Sequence, residues 1–201
     1  VRGLADTIHV EACELDYQLN NIFSASELEA GEVGLNISKT CVVSLVQDAI
    51  DTAQKRMQHK NVSIQIDGDA GAAACPMYVR TDSEKLSLIL LNVIANAIEF
   101  SPDHANVPVD LDFTEGKLSI IVRDQGEGIA QEDQQRIFDR FTQLETGIRK
   151  THRGHGLGLS IVKALLDLLN GEIHVESAPR HGSVFPIIIP ESHQPTHETP
   201  L

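Results

Sequence analysis

Three polar or glycine-bearing clusters, each set between apolar runs, constrain this chain more than any other feature: Asn92-Val-Ile-Ala-Asn96, Asp124-Gln-Gly126-Glu-Gly128-Ile129 and Gly154-His-Gly156-Leu-Gly158-Leu159. The first lies in an apolar helical run, the second directly follows the strand-like Leu118-Ser-Ile-Ile-Val122, and the third opens a helical run over 157–169. Any one alone fits a turn or a polar helix face. In this order and context they predict a nucleotide pocket. Asparagines one helical turn apart offer both amides to one ligand. An amide oxygen suits Mg²⁺, which keeps several waters and recruits few protein groups. A carboxylate that ends an apolar strand and precedes glycines is fixed at a cleft floor where backbone can pass close to a flat ring. Glycines before a helix let amides converge on an anion at its positive end. The third cluster is not a P-loop, having no Lys-Ser or Lys-Thr after its glycines, nor a Rossmann turn, since it does not follow the first strand of a parallel unit.

At 201 residues the chain can bury one substantial core with an appended element. Its formal net charge of -13 argues against a general electrostatic grip on nucleic acid or anionic membrane, so a phosphate ligand must be held locally. Arg149, Lys150 and Arg153, just before the third cluster, are a local cation supply in an acidic chain. No run reaches the roughly 20 apolar residues that span a bilayer, and no signal-like segment begins the chain. Cys13, Cys41 and Cys75 are widely spaced, which predicts reduced thiols and a cytoplasmic setting.

Apolar residues at Leu4, Ile8, Leu15, Leu19, Ile22 and Phe23 recur at helical spacing and predict one long helix over 4–30, stopped by Gly31. Its narrow stripe must pack on another helix, of a second chain or of its own domain. A strand is expected at 35–38, an amphipathic helix at 42–57 with Val43, Val46, Ile50 and Ala53 inward, and strands at 62–66 and 76–80. Asp82 is placed to cap a helix over 83–100, which Ser101-Pro102 ends. The runs 107–113 and 117–123 flank Thr114-Glu-Gly116 as a hairpin, and 172–177 pairs with 183–189. The polar stretch 130–153 has the length and composition of a lid, with Phe138 and Phe141 as its anchors to the core. Strands interspersed with helices predict an α+β fold, one mixed sheet covered on one face by helices.

The clusters resemble the asparagine box and the two glycine boxes of the ATP-binding domain of sensor histidine kinases, in the superfamily shared with gyrase, MutL and the large heat-shock chaperones. The resemblance spans roughly 36–190 and implies the Bergerat fold, a two-layer α/β sandwich, preceded by one long dimerisation-type helix. It divides the chain into 1–34, the second helix of a dimerisation and phosphoacceptor hairpin plus linker; 35–190, the ATP-binding catalytic domain; and 191–201, a flexible tail. Asn96 is implied as the Mg²⁺ ligand and Asp124 as acceptor for the adenine amino group, with Gly126, Gly128 and Ile129 lining the base. Asn92, Phe100, Lys150, Arg153, Gly154, Gly156, Leu157 and Gly158 complete the implied ATP contacts, and Ser183 stands near Asp124 and the adenine. The run Arg140-Phe-Thr-Gln-Leu144 is most similar to hybrid kinases, in which a receiver domain often follows.

Two departures matter. Glu99 stands where the family commonly has Lys or Arg facing phosphate, and Asn92 stands where related ATPases have a water-activating Glu, so direct hydrolysis is disfavoured. His9 lacks the acidic residue and Arg that follow an acceptor histidine, so the phosphoacceptor is expected outside this chain, which by itself should not label itself. No catalytic side chain is therefore assigned within it. The resemblance implies ATP and Mg²⁺ as ligands, a homodimer in the full protein, and as partners its own hairpin domain and a response regulator or receiver. The competing reading is a non-catalytic nucleotide-sensing or regulatory module of the same fold.

Overall fold

Gly31 closes the first helical period by taking φ +68, the left-handed conformation that favours glycine after a helix, so α1 spans Arg2–Ala30. The computed structural model describes residues 2–31, 33–57, 60–67, 77–142 and 156–192. After the linker come β1 (Ile37–Cys41), α2 (Val42–Arg56), β2 (Ser63–Asp67) and β3 (Tyr78–Asp82). β1 lies two residues later than the sequence predicts and pairs antiparallel with β3 as a separate two-stranded sheet. β3 also runs later than expected, to the residue that caps the next helix. Asp82 Oδ1 accepts from the amides of Glu84 and Lys85, at 3.0 Å each, and opens α3 (Ser83–Phe100).

Alternation then sets the main sheet. In β4 (Asn106–Thr114) and β5 (Lys117–Asp124), Val107, Val109, Leu111, Leu118, Ile120 and Val122 are buried while the residues between them, up to Arg123, are half-buried or exposed. The turn Glu115-Gly116 has φ +54 and +73, the two-residue kind whose twist matches the strands it joins. After a short 3₁₀ turn at Arg136–Phe138 come α4 (Gly158–Leu168), β6 (Glu172–Ile173), β7 (Glu176–Ser177) and β8 (Ser183–Pro190). The sheet order is β2-β4-β5-β8-β6, with β7 also on β8; β2 and β4 are parallel and every other pair is antiparallel. It is a mixed sheet, with the apolar faces of α2, α3 and α4 packed on its single buried face.

The continuous strand expected at 172–177 is divided because Pro186 has no N–H. His174 donates to the Pro186 carbonyl at 3.0 Å, but nothing returns from Pro186, and the ladder lapses between β6 and β7. Beyond β8, the amides of Glu191 and Ser192 donate to the carbonyls of Gly116 and Arg80, at 2.7 and 2.9 Å, so the first two residues assigned to the tail are tied to the domain.

Helix α1 packs on α2 and α4, but not by the stripe its periodicity picks out. Leu15, Leu19, Ile22 and Phe23 are half or more exposed, whereas Asn21 is buried and Ala25 and Leu28 touch the core. Among the described residues no helix is long and apolar enough to cross a membrane. Cys41 is a free, half-buried thiol, held below its ordinary pKa chiefly by the Ser44 hydroxyl. Cys75 and the side chain of Cys13 lie outside the described residues.

Candidate nucleotide site

The site is assembled where three chain segments end against one another: the second half of α3, the exit of β5, and the entry to α4. Asp124 is the last residue of β5 and pairs with Ser183, the first of β8. Its Oδ1 accepts from the amides of Gly126, at 2.8 Å, and Ser183, at 3.1 Å. Burial raises its pKa above the ordinary carboxylate value, against the opposing pull of those two amides and of the Ser183 hydroxyl. The two amides hold one oxygen and so orient the other.

Glycine is required around it by contact. A Cβ at Gly128, where φ is +70, would lie 1.9 Å from the Ala178 carbonyl oxygen, and one at Gly126 would lie 2.8 Å from that of Phe100. The loop is fastened from β7 and β8: Ser177 Oγ accepts from the Ile129 amide at 2.8 Å, donates to the Gly182 carbonyl at 2.7 Å, and sits 3.0 Å from Ser183 Oγ. Ile129 and Leu157 both pack into the core, and Phe100 is half-exposed at the end of α3.

Asn92 and Asn96 lie on one side of α3 in different surroundings. Asn96 is half-buried, and its amide forms no hydrogen bond among the described residues. Asn92 is fully buried. Its Oδ1 accepts from Tyr17 Oη of α1 at 2.6 Å, and its Nδ2 donates to the Leu88 carbonyl at 2.9 Å and to Asn21 Oδ1 at 3.3 Å. The Arg56 guanidinium lies 3.5 Å over the Tyr17 ring. Gly158 leaves room for this arrangement, since a Cβ there would come within 2.8 Å of Asn92 Oδ1. Gly156, at φ +68, accepts from the Phe141 amide at 2.9 Å and ties the two sides of the lid stretch together. Arg149, Lys150, Arg153 and Gly154 lie outside the described residues.

Phe141 does not anchor the lid. It is 74% exposed, with φ +60 and its amide turned to Gly156, and the inward contact comes from Ile137, with Phe138 half-buried beneath Lys163. Glu99 is half-buried, and its charge and that of Asp103 act on Lys60, whose ammonium burial shifts to a lower pKa against their opposing pull. The residues that sequence reasoning missed are Tyr17, Asn21, Lys60, Ser101 and Ser177. Tyr17 and Asn21 carry the same four-residue spacing that drew attention to Asn92 and Asn96, so that signal was present in the sequence. Lys60, Ser101 and Ser177 carry none, because their roles arise from contacts distant in sequence.

Residues 81–193 match the family described as histidine kinase-, DNA gyrase B- and HSP90-like ATPase. The chain belongs to this ATPase family. It contains the ATP-binding catalytic domain of a sensor histidine kinase. It is 31% identical over 191 residues to the circadian input-output histidine kinase CikA of Synechococcus elongatus, covering 94% of this chain and 25% of that protein. With the sensor-like histidine kinase SenX3 of Mycolicibacterium smegmatis it shares 31% over 195 residues, covering 97% of this chain and 50% of that protein. The chain thus spans a quarter to a half of those relatives' lengths. Full-length ShkA in complex with AMPPNP superposes with a TM-score of 0.75 at 23% identity, over 95% of this chain and 39% of that one. Acinetobacter baumannii AdeS gives 0.69 at 21%, over 96% and 84%. At these identities the likeness is one of fold, and this histidine kinase domain shares theirs.

Among the described residues no three His, Cys, Asp or Glu side chains group to hold a metal ion. A neutral amide is nonetheless the kind of donor Mg²⁺ uses beside substrate phosphates, and the unengaged amide of Asn96 fits that role.

Proposed function

We propose that this catalytic domain holds ATP with the adenine amino group on Asp124 and the phosphates towards Asn96 and the start of α4, and presents the γ-phosphate to a histidine on a helix outside this chain. The observation that carries this reading is the fixed carboxylate. Two amides hold Oδ1 of Asp124, so Oδ2 is turned to accept from the 6-amino group, and the close approach of Gly126 and Gly128 to neighbouring backbone fixes the loop that carries the carboxylate. Asn96 would hold Mg²⁺, which supplies charge neutralisation between phosphate oxygens. The chain's own work is positioning: it fixes the base, aligns the triphosphate along α3, and offers backbone amides at the start of α4 to the anion. His9 lacks the acidic residue and Arg that follow an acceptor histidine, so the acceptor is assigned outside this chain.

Domain roles follow from the same reading. Residues 1–34 serve as the second helix of a dimerisation and phosphoacceptor hairpin with its linker, 35–190 as the catalytic domain, and a response regulator or receiver domain takes the phosphate onward. A second reading, nucleotide sensing without transfer, is favoured by Glu99 in place of a phosphate-facing cation and by the engagement of Asn92 with α1.

Labelling separates the two readings, and calorimetry tests the adenine contact they share. With γ-labelled ATP the chain alone should remain unlabelled, and a longer chain carrying the upstream helix should take stable label on a histidine of that helix. Stable label on His9 would overturn the roles given to the two domains, and none on the longer chain despite ATP binding would remove the transfer reading. Calorimetric titration should show ATP bound more tightly than purine riboside triphosphate, which lacks the 6-amino group; equal affinities would remove the role given to Asp124.

A further inference from the structure

We propose that Lys60 is a positioning residue for adenine recognition, acting through Ser101 and the Asp124 loop without touching the nucleotide. An ammonium has three donors and no acceptor, and Lys60 Nζ spends them on three backbone carbonyls: Ile98 at 3.2 Å, Glu99, and Ser101 at 2.7 Å. The first two belong to the last turn of α3, where carbonyls lack helical partners and the helix dipole favours a cation. The third lies one residue past the helix. Pro102 stops α3, and Lys60 ties the last carbonyls of the helix to the residue by which the chain leaves it.

That exit supports the adenine loop. Ser101 is buried, its amide still bonds back to Ala97, and its Oγ accepts from the Gln125 amide at 3.2 Å, next to Asp124. The Gln125 side chain reaches the Asn106 carbonyl at 3.1 Å, and Gly126 lies so close over the Phe100 carbonyl that no Cβ fits between them. The carboxylate thus rests on a loop seated on the end of α3, and Lys60 holds that end from the other side. The grip on the Ser101 carbonyl is what links the helix end to the residue whose hydroxyl carries the Gln125 amide.

This inference rests on the reading of Asp124 as the adenine acceptor, and the test keeps the two apart. ATP and purine riboside triphosphate are titrated against the whole chain, its Lys60→Met variant and its Ser101→Ala variant, with the unfolding midpoint of each measured alongside. Ser101→Ala keeps the carbonyl that Lys60 grips and removes only the Gln125 acceptor, so it serves even if Lys60→Met does not fold. Both variants should lose about threefold to tenfold in ATP affinity with purine riboside triphosphate unchanged. Parallel losses for the two nucleotides, or a discrimination ratio unchanged in Ser101→Ala, would reduce Lys60 to a helix cap and overturn the proposal. A wild-type chain that does not discriminate would overturn the Asp124 reading and this inference with it.

Discussion

A carboxylate with one oxygen held by two backbone amides makes the Asp124→Asn substitution unusually informative. The asparagine Oδ1 can keep both amides, from Gly126 and Ser183, so its NH₂ takes the place of Oδ2 and turns a donor towards the donor of adenine. A hydrogen bond to a charged group contributes about 1.5–3 kcal/mol, so ATP affinity should fall by roughly tenfold to a hundredfold, read by calorimetry. Folding should respond in the opposite sense. Burial raises the folded pKa of Asp124, so its contribution to stability is full below the unfolded carboxylate value and is lost as pH rises through the folded one. The Asn variant has no such loss. In urea titrations its stability relative to wild type should improve as pH goes from acid towards neutral; a constant difference would mean that Asp124 ionises without cost. The glycine and carboxylate pattern was legible in the sequence because it recurs within a few residues. Lys60 was not, because the carbonyls it meets are 38 to 41 positions away and nothing local to Lys60 signals them.

Elements form where local pattern and tertiary partner agree, and shift where they do not. The β4–β5 hairpin was readable to within a residue from alternation and its turn, and so was α3 from Asp82 and Ser101-Pro102. The division of β6 from β7 was not, because the defect belongs to Pro186 on the facing strand. Pro186→Val should supply the missing donor to His174 and stabilise the sheet by about 0.5–1.5 kcal/mol, with slowed hydrogen exchange from Glu172 to Ser177; unaltered exchange would place the defect elsewhere. Helix α1 presents a related case. Its apolar period gave its length correctly but not its docked face, which is set by Tyr17 and Asn21 meeting a buried amide. Tyr17→Phe leaves Asn92 Oδ1 without that donor and should cost about 1–3 kcal/mol in urea unfolding. A loss below about 0.3 kcal/mol would show that the amide finds another partner.

At the scale of the whole molecule, one surface of α1 is committed to the catalytic domain and another is open. Leu15, Leu19, Ile22 and Phe23 recur at the spacing of a helix-packing seam, and their exposure is what the proposed dimerisation hairpin would bury. Sedimentation equilibrium should therefore find the chain self-associating, and Leu19→Glu with Phe23→Glu should render it monomeric with ATP affinity unchanged. A monomeric wild type across the concentration range would remove the role of that face in self-association. The two surfaces lie on one rigid element, and that has a thermodynamic corollary. A ligand that takes Asn92 Oδ1 from Tyr17 competes with the docked position of α1. Coupling of this kind is reciprocal: any pull on α1 from upstream that frees Asn92 tightens such a ligand by the same factor by which the ligand loosens α1, so the helix transmits in both directions through a single hydrogen-bonded side chain.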